Sequence, residues 1–136
     1  MSDATPDTSV VVAGLSSWHP DHAAALSILA DRPVGIAHVL AESYAVLTRL
    51  PGEHRVAADI AWTAVRSVFG NEVITLGGAM LRSLLDRIAV SDVAGGATYD
   101  AVVAETARVH DRQLVTLDRR AVRTYEIVGA QFTLLI

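Results

Sequence analysis

Gly95-Gly96-Ala97-Thr98-Tyr99-Asp100-Ala101-Val102-Val103-Ala104-Glu105-Thr106-Ala107, followed by Gln113-Leu114-Val115-Thr116-Leu117-Asp118-Arg119-Arg120-Ala121, decides the fold. The glycine pair marks a loop. The spacing of Val102, Val103, Thr106 and Val109 then predicts a helix over Thr98 to His110 with those residues inward. Gln113 to Leu117 reads as a short buried strand. One acid, Asp100, stands near the helix start, and a second, Asp118, ends the strand. In a helix–strand unit of a parallel sheet both positions can occupy the carboxyl edge, where such sheets carry their functional groups.

The same alternation extends outward. Upstream, Val34 to Ile36 and Val73 to Leu76 are strand-like. Ala23 to Leu29, His38 to Leu50, Arg55 to Phe69 and Met80 to Val90 are helical. His19-Pro20-Asp21-His22 reads as a helix start, and Pro51-Gly52 as a stop. Val10 to Leu15 is a continuous apolar run that suits either a buried parallel strand or a buried helix turn. Downstream, Val122 to Val128 is a short helix and Phe132 to Ile136 a terminal strand. Strands alternating with helices predict an α/β fold, with a mainly parallel sheet flanked by helices. A chain of 136 residues without internal repeat or linker is expected to be one domain.

Composition narrows the class. There is no cysteine, so disulfides and thiolate metal sites are excluded. A hydrophobic fraction of 51% predicts an apolar surface left over for a partner. No basic region followed by an apolar stretch opens the chain, and no run reaches the length of a membrane span. A cytoplasmic protein without membrane insertion is the expectation. The net charge of −4 does not advertise nucleic-acid binding. All eleven basic residues are arginine. Arg112, Arg119, Arg120 and Arg123 cluster near the last strand, where they are candidates for contact with RNA phosphates or with a partner.

Four acids carry the functional reading: Asp7, Glu42, Asp100 and Asp118. Each sits where an apolar segment meets a turn or a helix start. If the fold brings them together, their like charges repel and raise one another's pKa. Such a nest implies a divalent cation, and hard oxygen ligands point to Mg²⁺ or Mn²⁺. Each acid also has a purely structural role open to it. Asp7 can cap a helix, Asp100 can answer a helix dipole, Asp118 can close a turn, and Glu42 can face solvent.

The two stretches quoted first resemble the C-terminal half of PIN-domain ribonucleases, and more narrowly the VapC toxins of bacterial VapBC toxin–antitoxin modules. Asp7-Thr8-Ser9-Val10 resembles the first acidic motif of that family, and Leu40-Ala41-Glu42-Ser43-Tyr44 the second. The resemblance covers nearly the whole chain. It implies a PIN-like three-layer fold and a metal-dependent endoribonuclease. Asp7, Glu42, Asp100 and Asp118 would be the catalytic and metal-holding residues. It also implies a small VapB-like antitoxin as partner, and a homodimer. Thr8 or Thr116 would orient a carboxylate or water. Two positions depart from the family pattern. Pro6 precedes Asp7 and predicts a short or irregular first strand, because proline cannot donate to a sheet ladder. Glu105 falls where a small residue is common, and is expected to be exposed.

The remaining polar and aromatic residues have plainer readings. His19 and His22 are three apart but lack a third ligand, so they read as a surface pair. Trp18 and Trp62 read as packing or interface residues. Two other functions compete. A degenerate PIN domain would bind antitoxin or RNA without cleavage. A receiver-like phospho-acceptor domain requires a lysine after a late strand, and this chain has none.

Overall fold

The computed structural model describes residues 3–135. Five strands and seven α-helices alternate: β1 (Ala4–Pro6), α1 (Thr8–Gly14), α2 (His22–Leu29), β2 (Gly35–Ile36), α3 (Ala37–Thr48), α4 (Ala58–Ser67), β3 (Val73–Ile74), α5 (Gly78–Ala89), α6 (Ala97–Val109), β4 (Gln113–Thr116), α7 (Val122–Val128) and β5 (Phe132–Leu134). A 3₁₀ turn, Gly52–His54, follows α3. Strands β1, β4 and β5 form one parallel sheet in the order β1-β4-β5, and β2 pairs with β3 in a second parallel piece. The expected α/β architecture with a parallel sheet flanked by helices is therefore the one observed. The apolar run at Val10 resolves as helix α1, with Val10, Val11 and Ala13 fully buried. The expected terminal strand ends at Leu134, and Ile136 lies outside the described residues.

Pro6 determines how the two sheet pieces meet. The ladder to β4 continues past it, because the Asp7 amide donates to the Val115 carbonyl at 2.9 Å. Amides alternate sides along a strand, so residue 6 would direct its N–H toward β2, where proline has none to give. The Thr5 hydroxyl instead donates to the Val34 carbonyl at 2.9 Å and ties β1 to the segment entering β2. The first strand is short, as expected, and in register: Ala4, Thr5 and Pro6 face Gln113, Leu114 and Val115.

The helices close over this sheet. Val10, Val39, Leu47, Val65, Leu84, Leu114 and Tyr125 are essentially inaccessible to solvent. Each such side chain contributes about 1.5–3 kcal/mol relative to exposure. Helix α6 begins after Gly95, whose positive φ of 60° turns the chain into it. It then returns the backbone to the start of β4. Its first turn therefore lies at the carboxyl edge of the sheet and its last turn at the amino edge.

Glu105 overturns its expectation. It is buried, 3% exposed, in the middle of α6. Arg108 grips it through Nε at 2.7 Å and Nη2 at 2.9 Å, and Arg87 of α5 donates to the same carboxylate. Two half-exposed guanidiniums thus compensate one buried charge and staple α5 to α6. The Arg108 hydrogen bond holds the Glu105 carboxyl below the usual glutamate value of 4.5, against the opposing effect of burial.

Glu105→Ala is expected to lower unfolding stability by about 2 kcal/mol, the scale of lost hydrogen bonds to charged groups, since both arginines can turn to water. A depressed carboxyl pKa stabilises fully above its unfolded value and is lost as pH falls through the folded value. The stability gap between wild type and Glu105→Gln in urea titrations should therefore be constant at neutral pH and shrink below the reference value of 4.5. A gap independent of pH would refute the ion-pair account.

Candidate active site

Asp7, Glu42, Asp100 and Asp118 line one cleft of about 480 Å³ at the carboxyl edge of the sheet. Asp7 directly follows β1. Asp118 lies two residues beyond β4, which is hydrogen-bonded to β1. Glu42 comes from α3, the helix entered from β2, and Asp100 from the first turn of α6. Thr8, Ser9, Leu117, Arg120 and Tyr125 complete the nearer walls, and His19 and Asp21 stand at the rim.

Three of the four carboxylates, Asp7, Glu42 and Asp118, are held by hydrogen bonds. Asp7 is the N-cap of α1 and accepts from the Val10 amide at 3.4 Å. Its other contacts are the Ser9 hydroxyl at 2.5 Å and the Tyr125 hydroxyl, which donates to Oδ2 at 2.7 Å. Ser9 also accepts from the Leu117 amide at 2.9 Å, which fastens α1 to the end of β4. Thr8 donates to Glu42 at 2.5 Å. Thr116 orients Asp118 through the backbone, accepting from its amide at 3.0 Å. Asp118 itself accepts from the Arg120 amide at 2.9 Å, an Asx-type turn. The structural roles open to Asp7 and Asp118 are thus filled, while Asp100 stands in the first turn of α6 without a side-chain cap there.

The electrostatics reflect the convergence. Burial pushes the Asp7 carboxyl above its usual value, while the hydroxyls of Ser9 and Tyr125 and the Val10 amide act the other way. Asp100 is pushed up to about 6, first by burial and then by the charges of Asp118, Glu42 and Asp7 in that order. Burial and the Asp7 charge also drive the Tyr125 hydroxyl strongly upward, so it remains a donor.

The donor set fits a hard divalent cation. It is all oxygen, and the one arginine that pairs with it among the described residues is Arg120, which approaches Asp118 at 3.8 Å and is itself 96% exposed. No group of three or more acidic or histidine side chains placed to hold a metal ion together is found among the described residues. Mg²⁺ does not require one, because it keeps several waters and takes only one or two carboxylates directly.

The arginine cluster separates. Arg120 lines the cleft, and Arg119 and Arg123 are exposed beside it in sequence. Arg112 does not belong there. It precedes β4, at the opposite end of that strand from Asp118, and pairs with Glu72 at 3.4 Å. Tyr125 and Ser9 went unnoticed as site residues in the sequence. The Tyr125 contact bridges 118 positions to Asp7, and no spacing rule reaches that far. His22 contacts the Ala13 carbonyl through Nδ1 at 2.9 Å, in keeping with its non-metal reading.

The model of the PIN domain matches residues 4–127. The chain belongs to the PIN-domain family, within its VapC group. It is 42% identical over 130 residues to Ribonuclease VapC40 of Mycobacterium tuberculosis, a match that covers 96% of this chain and 97% of the relative. It is 39% identical over 124 residues to Ribonuclease VapC27 of the same organism, covering 90% of each. Among solved structures it is similar to PAE2754 from Pyrobaculum aerophilum, with a TM-score of 0.64 and 21% identity over 96% of this chain and 90% of that one. FitAcB from Neisseria gonorrhoeae superposes with a TM-score of 0.68 at 15% identity, covering 95% of both chains. These structures share the fold.

An acid whose pKa is raised on folding opposes folding once ionised. The cost of Asp100 is absent below its reference value of 3.8 and complete above about 6. Asp100→Asn should therefore stabilise the metal-free PIN domain at pH 7.5 by roughly 1 kcal/mol after allowance for solvent screening, or about 3 °C in melting temperature. The gain should vanish near pH 4. Melting in EDTA checks this, and a destabilised variant would contradict the like-charge reading.

Proposed function

We propose that this PIN domain is a Mg²⁺- or Mn²⁺-dependent endoribonuclease and the toxin of a type II toxin–antitoxin pair. The observation that carries the reading is the convergence of Asp7, Glu42, Asp100 and Asp118 on one cleft whose lining offers a single arginine, the exposed Arg120. The names of the VapC relatives and the PIN match point the same way. A phosphodiester is a poor electrophile shielded by negative charge. A bound divalent ion supplies the charge neutralisation and the water of lowered pKa that its hydrolysis needs.

The chain's own residues then have distinct tasks. Asp118 lies close enough for its charge to raise the Asp100 pKa, and the two would hold the ion directly or through water. Thr8 fixes the rotamer of Glu42, and Tyr125 with Ser9 fixes Asp7, so that the carboxylates are positioned before substrate arrives. Val12, Val46, Val103 and Leu117 form the apolar part of the walls. Arg120, with Arg119 and Arg123, offers guanidiniums to RNA phosphates.

Exposed apolar surface supports a partner in the same reading. An apolar groove between α3 and α4 is lined by Leu40, Tyr44 and Trp62, and Tyr44 and Trp62 remain exposed. It suits an apolar segment of a VapB-like antitoxin. The exposed Met80 and Leu85 of α5 are apolar surface that a homodimer would cover. No helix among the described residues is long and apolar enough to cross a membrane.

One observation favours a second reading. With no group of three or more acidic or histidine side chains placed to hold a metal ion among the described residues, a degenerate domain that binds antitoxin or RNA without cutting is the alternative. Purified chain incubated with single-stranded and hairpin RNA separates the two. The nuclease reading expects cleavage with Mg²⁺ or Mn²⁺ and none in EDTA. It also expects a loss of at least about 100-fold in Asp100→Asn and Asp118→Asn, with folding intact by circular dichroism. Cleavage that survives EDTA, or variants that cut like wild type, would show the assigned site to be wrong.

A further inference from the structure

Trp18, which the sequence suggests as a packing or interface residue, is not buried. It is 47% exposed. Its indole stacks on the His54 ring, with centroids 4.1 Å apart and planes at 29°. The His19 ring lies 5.9 Å away, tilted by 44°. A tryptophan left this open, and covered mainly by another flat ring, presents an apolar π-surface to solvent.

Its place in the fold gives that surface a direction. Trp18 and His19 follow α1, whose start supplies Asp7, Thr8 and Ser9 to the cleft. His54 closes the 3₁₀ turn after α3, which supplies Glu42 and Val46. The stack thus joins the loops leaving the two helices that build one side of the carboxylate site. His19 belongs to both features: it touches Trp18 and lines the cleft. Its Nδ1 accepts from the Asp21 amide at 3.0 Å, which puts the neutral ring's proton on Nε2. No other atom among the described residues is hydrogen-bonded to that nitrogen, so Nε2–H is a donor available at the rim.

We propose that the Trp18–His54 stack, continued into the cleft by His19, is a nucleobase subsite for a single-stranded nucleotide flanking the scissile phosphate. Trp18 would take the base on its open face, and His19 Nε2–H would donate to a phosphate or base oxygen between that nucleotide and the carboxylates. Aromatic platforms of this kind recognise unpaired bases by their π-faces, and unpaired segments are what sequence-reading proteins find accessible in RNA. The site would therefore favour loops and single strands over duplex. This inference rests on the nuclease reading, but it makes its own prediction about binding.

Trp18 and Trp62 are the two tryptophans of the chain. The variant Trp62→Phe/Asp100→Asn reports Trp18 fluorescence alone while suppressing cleavage. In Mg²⁺, an eight-nucleotide single-stranded RNA is expected to quench this signal saturably, whereas an oligomer of the same backbone with abasic positions should not. Trp18→Leu in the Asp100→Asn background should weaken binding of the RNA roughly 5- to 100-fold, the range of base–aromatic stacking, and Trp18→Phe should restore most of it. In otherwise native protein, Trp18→Leu should raise KM with kcat nearly unchanged. Equal quenching by the abasic oligomer, or equal binding by folded Trp18→Leu, would overturn the subsite and leave the stack as a clasp between two loops. Cleavage without quenching rejects the subsite alone. Quenching by RNA without any cleavage by wild type supports the subsite and rejects the nuclease reading.

Discussion

The parallel pairing of β1 with β4 is the constraint on which the site depends. The Asp7 amide donates to the Val115 carbonyl, so the chain leaves β1 beside the last residues of β4. Asp7 and Asp118 are thereby delivered to the same edge, although 111 positions separate them. A slip of one residue would turn Asp7 to the other face and bury it without Tyr125. Ser9 reinforces the register by tying the start of α1 to the Leu117 amide. The other two acids arrive by topology: α3 leaves the carboxyl edge after β2, and α6 must start at that edge in order to return the chain to β4.

Folding therefore concentrates negative charge where charge costs most. The raised pKa of Asp100, caused by burial and by three neighbouring carboxylates, measures that cost. The fold tolerates it because apolar burial elsewhere is extensive and because hydroxyls and amides donate to the neighbouring carboxylates of Asp7, Glu42 and Asp118. Elsewhere the chain handles a buried acid differently. Glu105 is neutralised by Arg87 and Arg108, and its pKa moves down instead of up. The contrast between a carboxylate paired with two arginines within the helical layer and carboxylates that crowd one another in the cleft separates a structural use of charge from a candidate functional one.

Much of this was legible in the sequence, and the failures are physical. Asp100 and Asp118 were readable because a Gly-rich loop, a helix and a strand lie contiguous around them, so local signals fix their place. Val10 to Leu15 stayed ambiguous because a short buried run has no polar face to betray its period. The burial of Glu105 is not legible in the sequence, because one of its two partners, Arg87, comes from another helix. Arg112 was grouped with Arg119 and Arg120 by proximity. The extended strand between Arg112 and Asp118 carries the chain about 3.3 Å per residue from one edge of the sheet to the other. Pro6 looked like damage to the first strand. It proves compatible, because the side of β1 that it disables is the seam where the Thr5 hydroxyl joins the two sheet pieces.

The central claim is that four distant carboxylates form one cation site. Calorimetric titration of the metal-free protein with Mn²⁺ tests it most directly. Saturable binding is expected for wild type, with a marked loss in Asp100→Asn despite that variant's retained fold. No binding at millimolar Mn²⁺, or binding unchanged by Asp100→Asn, would contradict it.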